Sequence, residues 1–394
     1  MKKSMVAYIV LAFFVACSTQ VARAATQVGA FLEPGLYRDV WQQGSYAYLA
    51  SGWADLRTIN VSNYSNMYQT DWWLDRDVNA DESYSIYANN DYLYMAERTN
   101  GIRVFSLADK SKPELISSFN PYADDPYYRS SNLMMSGHTL FVGDFMGGLT
   151  SVDVSNPYQP VELDRIGFKK ETGRQIEAQG IAIQGNYAYV ANPPGGFSVV
   201  NISDPSNMFA EAYVPQNKES PLGVWDIGVK DNYAYVLTQG VGVDVYNIET
   251  PGQPTHVSTV ALPNGIDLDG VRLRTDMPPL DIEFFGDVAF VSNGVDGVFA
   301  IDISDPSLLS QESILDIFDP MVLIEEQDPK PFSYSWGLSL DSENAILLVA
   351  DGYNGIAAFD VSEFQVAATP LPSSVVMLAS GVVPFLLLQF RRRS

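Results

Sequence analysis

The chain of 394 residues has one cysteine, two histidines and 23 basic against 47 acidic side chains, which gives a formal net charge of −24. One cysteine excludes an internal disulfide, and a chain of this length buries a sufficient core without one. His138 and His256 leave few parts for a Ser-His-Asp triad or a histidine-rich zinc site. The shortage of Lys and Arg excludes a typical nucleic-acid binder, because a phosphate backbone is met by clustered basic side chains.

Enzyme motifs are also scarce. The sequence contains no Gly-rich phosphate loop, no cysteine cluster and no nucleophile elbow. In contrast, glycine (29 residues), proline (23 residues) and aromatic side chains (12%) are abundant. This composition favours a turn-rich globular β protein over a helical bundle or a disordered chain.

The N-terminus resembles a secretory signal. Lys2 and Lys3 precede an apolar run from Met5 to Ala16, and Ala22-Arg23-Ala24 offers the small residues that a signal peptidase requires. We therefore predict that residues 1–24 are a signal peptide cleaved after Ala24. Two alternatives stay open: lipoprotein processing at Cys17, which follows a lipobox-like Phe13-Phe14-Val15-Ala16, and an uncleaved anchor.

The C-terminal segment, residues 371–394, predicts a membrane-directed tail. Ser373 to Phe390 is almost continuously apolar, which is about 27 Å as a helix, and Arg391-Arg392-Arg393 follow. The arginines hold the C-terminus in the cytoplasm and leave the preceding chain across the membrane. With Thr369-Pro370-Leu371-Pro372-Ser373 ahead of it, the tail resembles the PEP-CTERM sorting class in its VPLPA-like variant, although Thr369 replaces the usual Val and Pro384 interrupts the span. The resemblance implies a Gram-negative host and an exosortase-type processing enzyme as a partner. The alternative is a plain membrane anchor.

Internal repetition is the strongest signal in the sequence. A four-residue strand core begins seven times, at spacings of 46, 47, 48, 46, 55 and 58 residues, namely at Tyr46, Tyr92, Thr139, Tyr187, Tyr233, Val288 and Ile346. Nine residues after each start stands a glycine, except in the first copy, where Asp55 takes that place. A second strand follows each glycine, as in Gly148 to Ser155, and turns such as Asp305-Pro306-Ser307 precede a further strand.

These repeats predict an all-β fold over residues 25–370: a seven-bladed β-propeller of four-stranded antiparallel blades. The run Val152-Asp153-Val154-Ser155-Asn156-Pro157 and its counterparts resemble the LVIVD repeat family of β-propellers. A ring needs a closing device, because the first and last blades otherwise present open edges. We predict that the segment Thr26 to Leu32 supplies the outer strand of the seventh blade.

Segments between blades differ in length and composition, unlike the short turns within them: 68–82, 120–130, 167–177, 215–223, 261–279 and 316–333. They share one side of the propeller, here called the variable face, with the loops between second and third strands. Binding residues typically lie on variable loops held by a rigid frame. We assign to this face a candidate ligand-binding set with aromatic rings and carboxylates suited to sugars: Trp53, Trp72, Trp73, Tyr122, Asp124, Asp125, Tyr127, Tyr128, Phe145 and Tyr353. The alternative is that these rings pack the gaps between blades. Trp41, Trp225 and Trp336 lie near the axis, where packing between blades explains them at least as well as contact with a ligand.

A single run resembles a calcium loop. Asp75, Asp77, Asn79 and Asp81 place oxygen side chains at alternate positions, as a loop around a hard cation requires. Ala80 replaces the turn glycine of an EF-hand, and Ile86 stands where its bidentate acid belongs. Calcium is therefore the one cofactor that the sequence leaves open, against a solvated acidic loop.

Two functions remain compatible with these features. The first is a secreted binding or scaffold module at the cell envelope or in an extracellular matrix, with a polysaccharide or an envelope protein as its partner. The second is an extracytoplasmic carbohydrate-active enzyme with paired carboxylates at the propeller axis.

The two end segments hold six of the basic side chains and no acidic ones, so the body keeps 17 basic against 47 acidic side chains and carries a net charge of −30. An acidic polysaccharide would then need divalent cations as bridges.

Overall fold

The chain folds into a ring of seven four-stranded sheets. The computed structural model describes residues 23–52, 55–75, 82–120, 129–145, 147–169, 175–193, 195–215, 223–262, 266–268, 271–273, 279–318 and 334–365. In each of the first six blades the strands follow chain order, and every neighbouring pair is antiparallel. The all-β propeller predicted from the repeats is confirmed.

Blade 1 holds β2 (Tyr37–Gln43), β3 (Tyr46–Ser51), β4 (Asp55–Asn60) and β5 (Tyr68–Leu74). Blade 2 holds β6 (Ser83–Ala88), β7 (Tyr92–Glu97), β8 (Gly101–Ser106) and β9 (Glu114–Phe119). Blade 3 holds β10 (Ser130–Ser136), β11 (Thr139–Asp144), β12 (Gly148–Asp153) and β13 (Val161–Ile166). A small hairpin of β14 (Phe168–Lys169) and β15 (Gln175–Ile176) leads to blade 4, with β16 (Ile181–Gln184), β17 (Tyr187–Ala191), β18 (Phe197–Asn201) and β19 (Phe209–Val214).

Blade 5 holds β20 (Val224–Lys230), β21 (Tyr233–Thr238), β22 (Gly242–Asn247) and β23 (Thr255–Ala261), and a second hairpin follows with β24 (Ile266–Leu268) and β25 (Val271–Leu273). Blade 6 holds β26 (Asp281–Phe285), β27 (Val288–Ser292), β28 (Val298–Asp302) and β29 (Ile314–Phe318). Blade 7 holds β30 (Ser335–Asp341), β31 (Ile346–Asp351), β32 (Gly355–Asp360) and, from the N-terminus, β1 (Thr26–Leu32). The predicted four-residue cores thus begin the second strand of every blade.

The N-terminal strand closes the ring, as predicted. β1 pairs with β32 in an antiparallel register that runs from Thr26 opposite Asp360 to Leu32 opposite Gly355. Residues Ser362–Phe364, which follow the third strand of this blade, form a single 3-10 turn. The last blade is therefore built from both ends of the propeller sequence, and β1 covers the edge of β32.

The recurrent glycine at the start of the third strand has a steric cause. Gly101, Gly148, Gly242 and Gly355 all have positive φ, a conformation that L side chains rarely adopt. A Cβ at Gly148 would lie 2.1 Å from the carbonyl oxygen of Ile166, and one at Gly355 would lie 2.0 Å from that of Phe31. The glycine lets the fourth strand approach the third, and at Gly355 the approaching strand is β1.

The hydrophobic core is divided into wedges between neighbouring blades. Each of seven buried clusters combines side chains from two adjacent sheets, and the wedge between blades 7 and 1 joins Leu348 to Leu49. In the first six blades the third residue of the second strand is an aromatic residue that is 2% exposed or less, namely Tyr48, Tyr94, Phe141, Tyr189, Tyr235 and Phe290. Because these wedges surround the axis, the first strands are left to line a central space.

No helix in the part of the chain that the structure describes has the length and apolar character needed to cross a membrane. The predicted signal peptide, up to residue 22, and the C-terminal tail from residue 366 onward lie outside the described residues. Their assignment remains a prediction from the sequence.

Candidate functional site: an acid-lined axial cavity

The first strands of all seven blades enclose a cavity of about 400 Å³ at the propeller axis. This volume lies within the roughly 300–1,000 Å³ typical of small-molecule sites. Trp41, Trp225 and Trp336, which the sequence placed near the axis, all line it. Because each first strand begins where an inter-blade connection ends, the residues at the starts of these strands lie toward the variable face.

Four carboxyl groups line the cavity: Asp39, Asp226, Asp281 and Glu283, here called the axial acid cluster. They come from blades 1, 5 and 6. Among the described lining residues Arg38 is the one basic side chain, and its Nη2 donates to Glu82 Oε2 at 2.7 Å. The cluster therefore brings four acidic groups into a confined space in which the one basic side chain is already paired with another acid.

Burial raises the pKa of each acid in the cluster, and repulsion from neighbouring acids adds to the rise at Asp39, Asp226 and Glu283. Burial, followed by repulsion from Asp281, raises the pKa of Asp39 to about 8. Burial and repulsion from Asp281 and Asp39 raise the pKa of Glu283 to about 8 as well. Burial raises the pKa of Asp281 to about 6, and burial with repulsion from Asp281 raises the pKa of Asp226 well above its usual range. At neutral pH the cluster thus holds protons that it can donate in hydrogen bonds.

Two of these acids also join neighbouring blades. Asp39 accepts hydrogen bonds from the backbone N–H groups of Val40 and, across to blade 2, of Ile86, both at 2.8 Å. Asp281 accepts in the same way from Ile282 at 2.7 Å and from Leu338 of blade 7 at 2.6 Å. The position of these two carboxyls is therefore fixed by the backbone of the ring.

Glycines opposite the acids provide the space that these side chains occupy. A Cβ at Gly180 of blade 4 would lie 2.0 Å from Asp226 Oδ1. A Cβ at Gly337 of blade 7 would lie 2.9 Å from Asp39 Oδ1. A larger residue at either position would push a carboxyl out of the cluster.

Aromatic side chains form an arc along the variable-face rim of the cavity, from blade 7 to blade 3. Successive ring centroids are 6.3 Å apart for Tyr353 and Tyr334, 5.2 Å for Tyr334 and Trp336, and 5.5 Å for Tyr84 and Phe145. The guanidinium of Arg38 joins the two halves, since its Cζ lies 4.4 Å from the Trp336 ring and 4.3 Å from the Tyr84 ring. We call these five rings with Arg38 the aromatic arc.

Glu82 holds the cationic part of the rim in place. Its Oε2 accepts from Arg38 and, at 3.4 Å, from Arg98 Nη1. Arg98 in turn lies over the Tyr84 ring, 5.5 Å from the centroid, and 5.9 Å from that of Phe145. Cation–π contacts of this kind fix rings and cations relative to each other.

The predicted ligand-binding set is divided by the structure. Phe145 and Tyr353 lie at the two ends of the aromatic arc, and Tyr353 is 53% exposed. Six members fall outside the described residues and stay predictions, namely Trp53, Tyr122, Asp124, Asp125, Tyr127 and Tyr128.

Trp72 and Trp73 occupy a different place from the one expected. The segment 68–82 was expected to be a variable connection, but residues Tyr68–Leu74 form the outer strand β5. Trp72 points outward, 51% exposed, and donates from Nε1 to Asp55 Oδ2 at 2.8 Å. Trp73 points inward and packs edge-on against Phe105 between blades 1 and 2. The two-residue alternation of a strand separates them.

The predicted calcium run is described at one residue. Asp75 forms an ion pair with Arg103, which also binds Glu97. Asp77, Asn79 and Asp81 lie outside the described residues, so calcium binding stays a prediction. Across the described ranges, no group of three or more His, Cys, Asp or Glu side chains is arranged to hold a metal ion.

Neither histidine forms a catalytic relay. His138 is exposed in the turn between β10 and β11. His256 on β23 contacts Asp244 at 3.3 Å and Thr259 at 2.9 Å, but both contacts use the same nitrogen, Nε2. A triad needs the acid and the nucleophile on opposite ring nitrogens.

Three of the axial acids occupy the same position of the sequence repeat. Counted back seven residues from the start of each second strand, the first six copies have Asp39, Ser85, Asn132, Gly180, Asp226 and Asp281. In blade 7 the turn is longer, and the register places Gly337 at this position. Acids at three of these repeat positions would have indicated a carboxyl cluster on the axis.

The fold and the cavity define a class: a closed repeat propeller with an acid-lined cavity on its axis. The LVIVD repeat profile matches residues 34–70, 82–121, 129–166, 177–213, 223–261 and 280–319, which is more than half of the chain. The chain belongs to the LVIVD repeat family, and the six matched segments correspond to blades 1 to 6.

Solved structures agree on the fold. The computationally designed Ika8 protein has a TM-score of 0.53 at 10% identity, with 85% of this chain and 99% of that chain covered. The Cps50 (Swd1) β-propeller domain of Myceliophteria thermophila has a TM-score of 0.57 at 9% identity, with 86% and 99% covered. Such low identities indicate a shared fold and nothing about function. No curated protein matches the chain.

Proposed function

We propose that the chain is an exported, envelope- or matrix-associated propeller that binds its ligand in the axial cavity. The ligand class is a hydroxyl-rich chain, an end or a short stretch of an extracellular polysaccharide. The observation that carries this proposal is the combination of an acid-lined cavity with an aromatic rim on the variable face.

Both halves of the site suit sugars. Carboxyl groups that retain protons near neutral pH donate and accept hydrogen bonds, as sugar hydroxyls also do. Aromatic faces pack against the apolar faces of sugar rings. Tyr353 offers an exposed ring at the end of the arc, where an incoming chain would first meet the protein.

A glycan-binding screen tests this proposal. We expect the wild type to retain one class of polysaccharide, and we expect Glu283→Leu, which removes the hydrogen-bonding carboxyl at similar volume, to lose most of that retention. The exposed control Glu249→Gln should keep it. Retention that is equal in Glu283→Leu and in the wild type would contradict binding in the cavity. Capture of an envelope protein without any glycan would favour the protein partner instead.

An acidic polysaccharide adds a requirement. The body of the chain carries −30, so a polyanion would be repelled unless divalent cations bridge the two. We expect binding of such a polymer to need calcium or magnesium. Equal binding in the presence of a chelator would reject this part of the proposal.

The rival function, a carbohydrate-active enzyme, is favoured by one observation. Asp281, with a pKa of about 6, shares the cavity with Asp39 and Glu283, whose pKa is about 8. Acids with separated pKa values are what a general acid and its partner base require. Release of reducing ends from a bound polysaccharide, lost in Asp281→Asn, would establish catalysis, whereas binding without release would exclude it for that polymer.

Export and sorting are part of the proposal. The predicted signal at residues 1–24 and the predicted PEP-CTERM-like tail at 371–394 support delivery to the envelope or matrix through an exosortase-type enzyme. Fractionation of the native host with and without its exosortase tests this. A protein that stays in the inner membrane in both strains would favour the plain anchor.

A further inference from the structure

The N-terminal strand has a polar contact just before it begins. The backbone nitrogen of Ala25 donates to Asp316 Oδ2 at 2.9 Å. Asp316 lies on β29, the outer strand of blade 6, whereas Ala25 leads directly into β1, the outer strand of blade 7. This hydrogen bond therefore crosses from one blade to the next where the ring closes.

A second carboxylate lies beside the same stretch of backbone. The nitrogen of Ala24 donates to Glu363 Oε2 at 3.2 Å, in the 3-10 turn that follows β32. The Ala25 side chain packs against the buried cluster between blades 6 and 7, so its backbone is held in place by apolar contact. Two acids and an apolar wedge thus surround the bond between residues 24 and 25.

Cleavage after Ala24 would turn the nitrogen of Ala25 into an α-ammonium group. We propose that this ammonium is a structural cation that fastens β1 to blade 6 and stabilises the closed ring only after processing. The inference rests on the signal cleavage included in the proposed function. It assigns a role to the new terminus itself, and lipoprotein processing at Cys17 would not create that role, because Ala25 would keep an amide.

The physical gain comes from charge. A hydrogen bond between an ammonium and a carboxylate is roughly twice as strong as a neutral one. Cleavage also removes Arg23 and frees Glu363 from the Ala24 nitrogen, whereas the new ammonium keeps the contact that the Ala25 nitrogen makes with Asp316. A further acid, Asp360, lies opposite Thr26 in the β1 to β32 register and adds to the negative potential.

The pH dependence has a definite sign. An α-amino group ordinarily has a pKa of about 8, and carboxylates beside it raise that pKa in the folded state. The stabilisation is therefore complete below about pH 8 and is lost as the pH rises through the raised pKa of the folded protein.

The test compares two forms of the chain that begins at Ala25 and otherwise keeps its full length, one with a free amine and one Nα-acetylated. At pH 6.5 we expect the free-amine form to melt about 2–4 °C higher. At pH 10.5 the difference should vanish. Titrations elsewhere in the protein cancel, because both forms share them.

Asp316→Asn should remove most of the difference at pH 6.5, whereas Glu249→Gln, an exposed charge change in blade 5, should leave it intact. Equal melting temperatures of the two forms at pH 6.5 would overturn the proposal, as would a difference that persists in Asp316→Asn. N-terminal sequencing of the exported protein checks the cleavage separately. Failure of the proposed contact between the Ala25 ammonium and Asp316 can therefore be distinguished from failure of the predicted signal cleavage.

Discussion

The axial acid cluster makes stability depend on pH, and Glu283→Gln isolates one part of that dependence. The pKa of Glu283 rises from an ordinary 4.5 to about 8 in the folded protein, chiefly through burial. As the pH rises, the Glu283 carboxyl therefore loses its proton at a lower pH in the unfolded chain than in the folded protein. Stability is fully present below about pH 4.5 and falls progressively toward pH 8, where the folded state ionises.

The size of the effect follows from the shift. Each pKa unit corresponds to about 1.4 kcal/mol, so the rise of the Glu283 pKa from 4.5 to about 8 sets an upper limit of about 5 kcal/mol. Because the effective dielectric constant around buried groups is higher than that of a dry interior, we expect a realised penalty of about 1–3 kcal/mol at high pH. Glutamine has the shape of the protonated acid and carries no charge, so the variant should escape this penalty.

Guanidinium denaturation at pH 4.5 and pH 9 measures the difference. Glu283→Gln should match the wild type within about 0.5 kcal/mol at pH 4.5 and exceed its free energy of unfolding by about 1–3 kcal/mol at pH 9. Glu249→Gln, which removes an exposed charge, controls for the change in net charge. A Gln variant that is no more stable than the wild type at pH 9 would refute the reasoning.

Two further predictions concern closure of the ring and a buried ion pair. Gly29→Ala should lower the free energy of unfolding by about 2 kcal/mol or more, because its Cβ would lie 1.8 Å from the Tyr64 carbonyl oxygen. Gly167→Ala, with its nearest neighbour at 3.9 Å, is the control in the same denaturation assay. Arg103→Met removes the partner that lies 2.5 Å from Glu97, whose pKa burial raises to about 7. Its cost should be about 3 kcal/mol at pH 8.5 and smaller at pH 5.5, and an equal loss at both pH values would contradict this account.

The sequence predicted the fold because its strongest signals are local and repeated. A second-strand core and a glycine nine residues later specify a hairpin in each copy, and the structure explains the glycine by positive φ and a close fourth strand. The closing strand was predictable for a related reason: the seventh copy has only a short candidate fourth strand, and a β-prone segment precedes the first copy. Both inferences require only neighbours in the chain and the need to pair sheet edges.

The site was harder to predict, because its parts are distant in the sequence. Asp39 and Asp281 are 242 positions apart by number, yet each raises the pKa of the same Glu283 carboxyl. Aromatic content was a poor guide on its own: Trp72 and Trp73 are adjacent, but strand alternation sends one to solvent and the other into the core. Ring geometry, and not residue type, decides which side chains meet at the axis.

Comparison of the repeats shows which positions can vary and can therefore carry functional side chains. Wedge positions in this propeller are filled by similar aromatic and aliphatic side chains in copy after copy, because each must fit between two sheets. The position that faces the axis carries Asp, Ser, Asn or Gly in different blades, since it borders a cavity and not a packed neighbour. Carboxyls placed there incur burial and repulsion that a Ser or Asn would avoid, as their raised pKa values indicate. Carboxyl groups that are destabilised by burial, yet are held in a cavity by backbone hydrogen bonds, are typical of a binding or catalytic site.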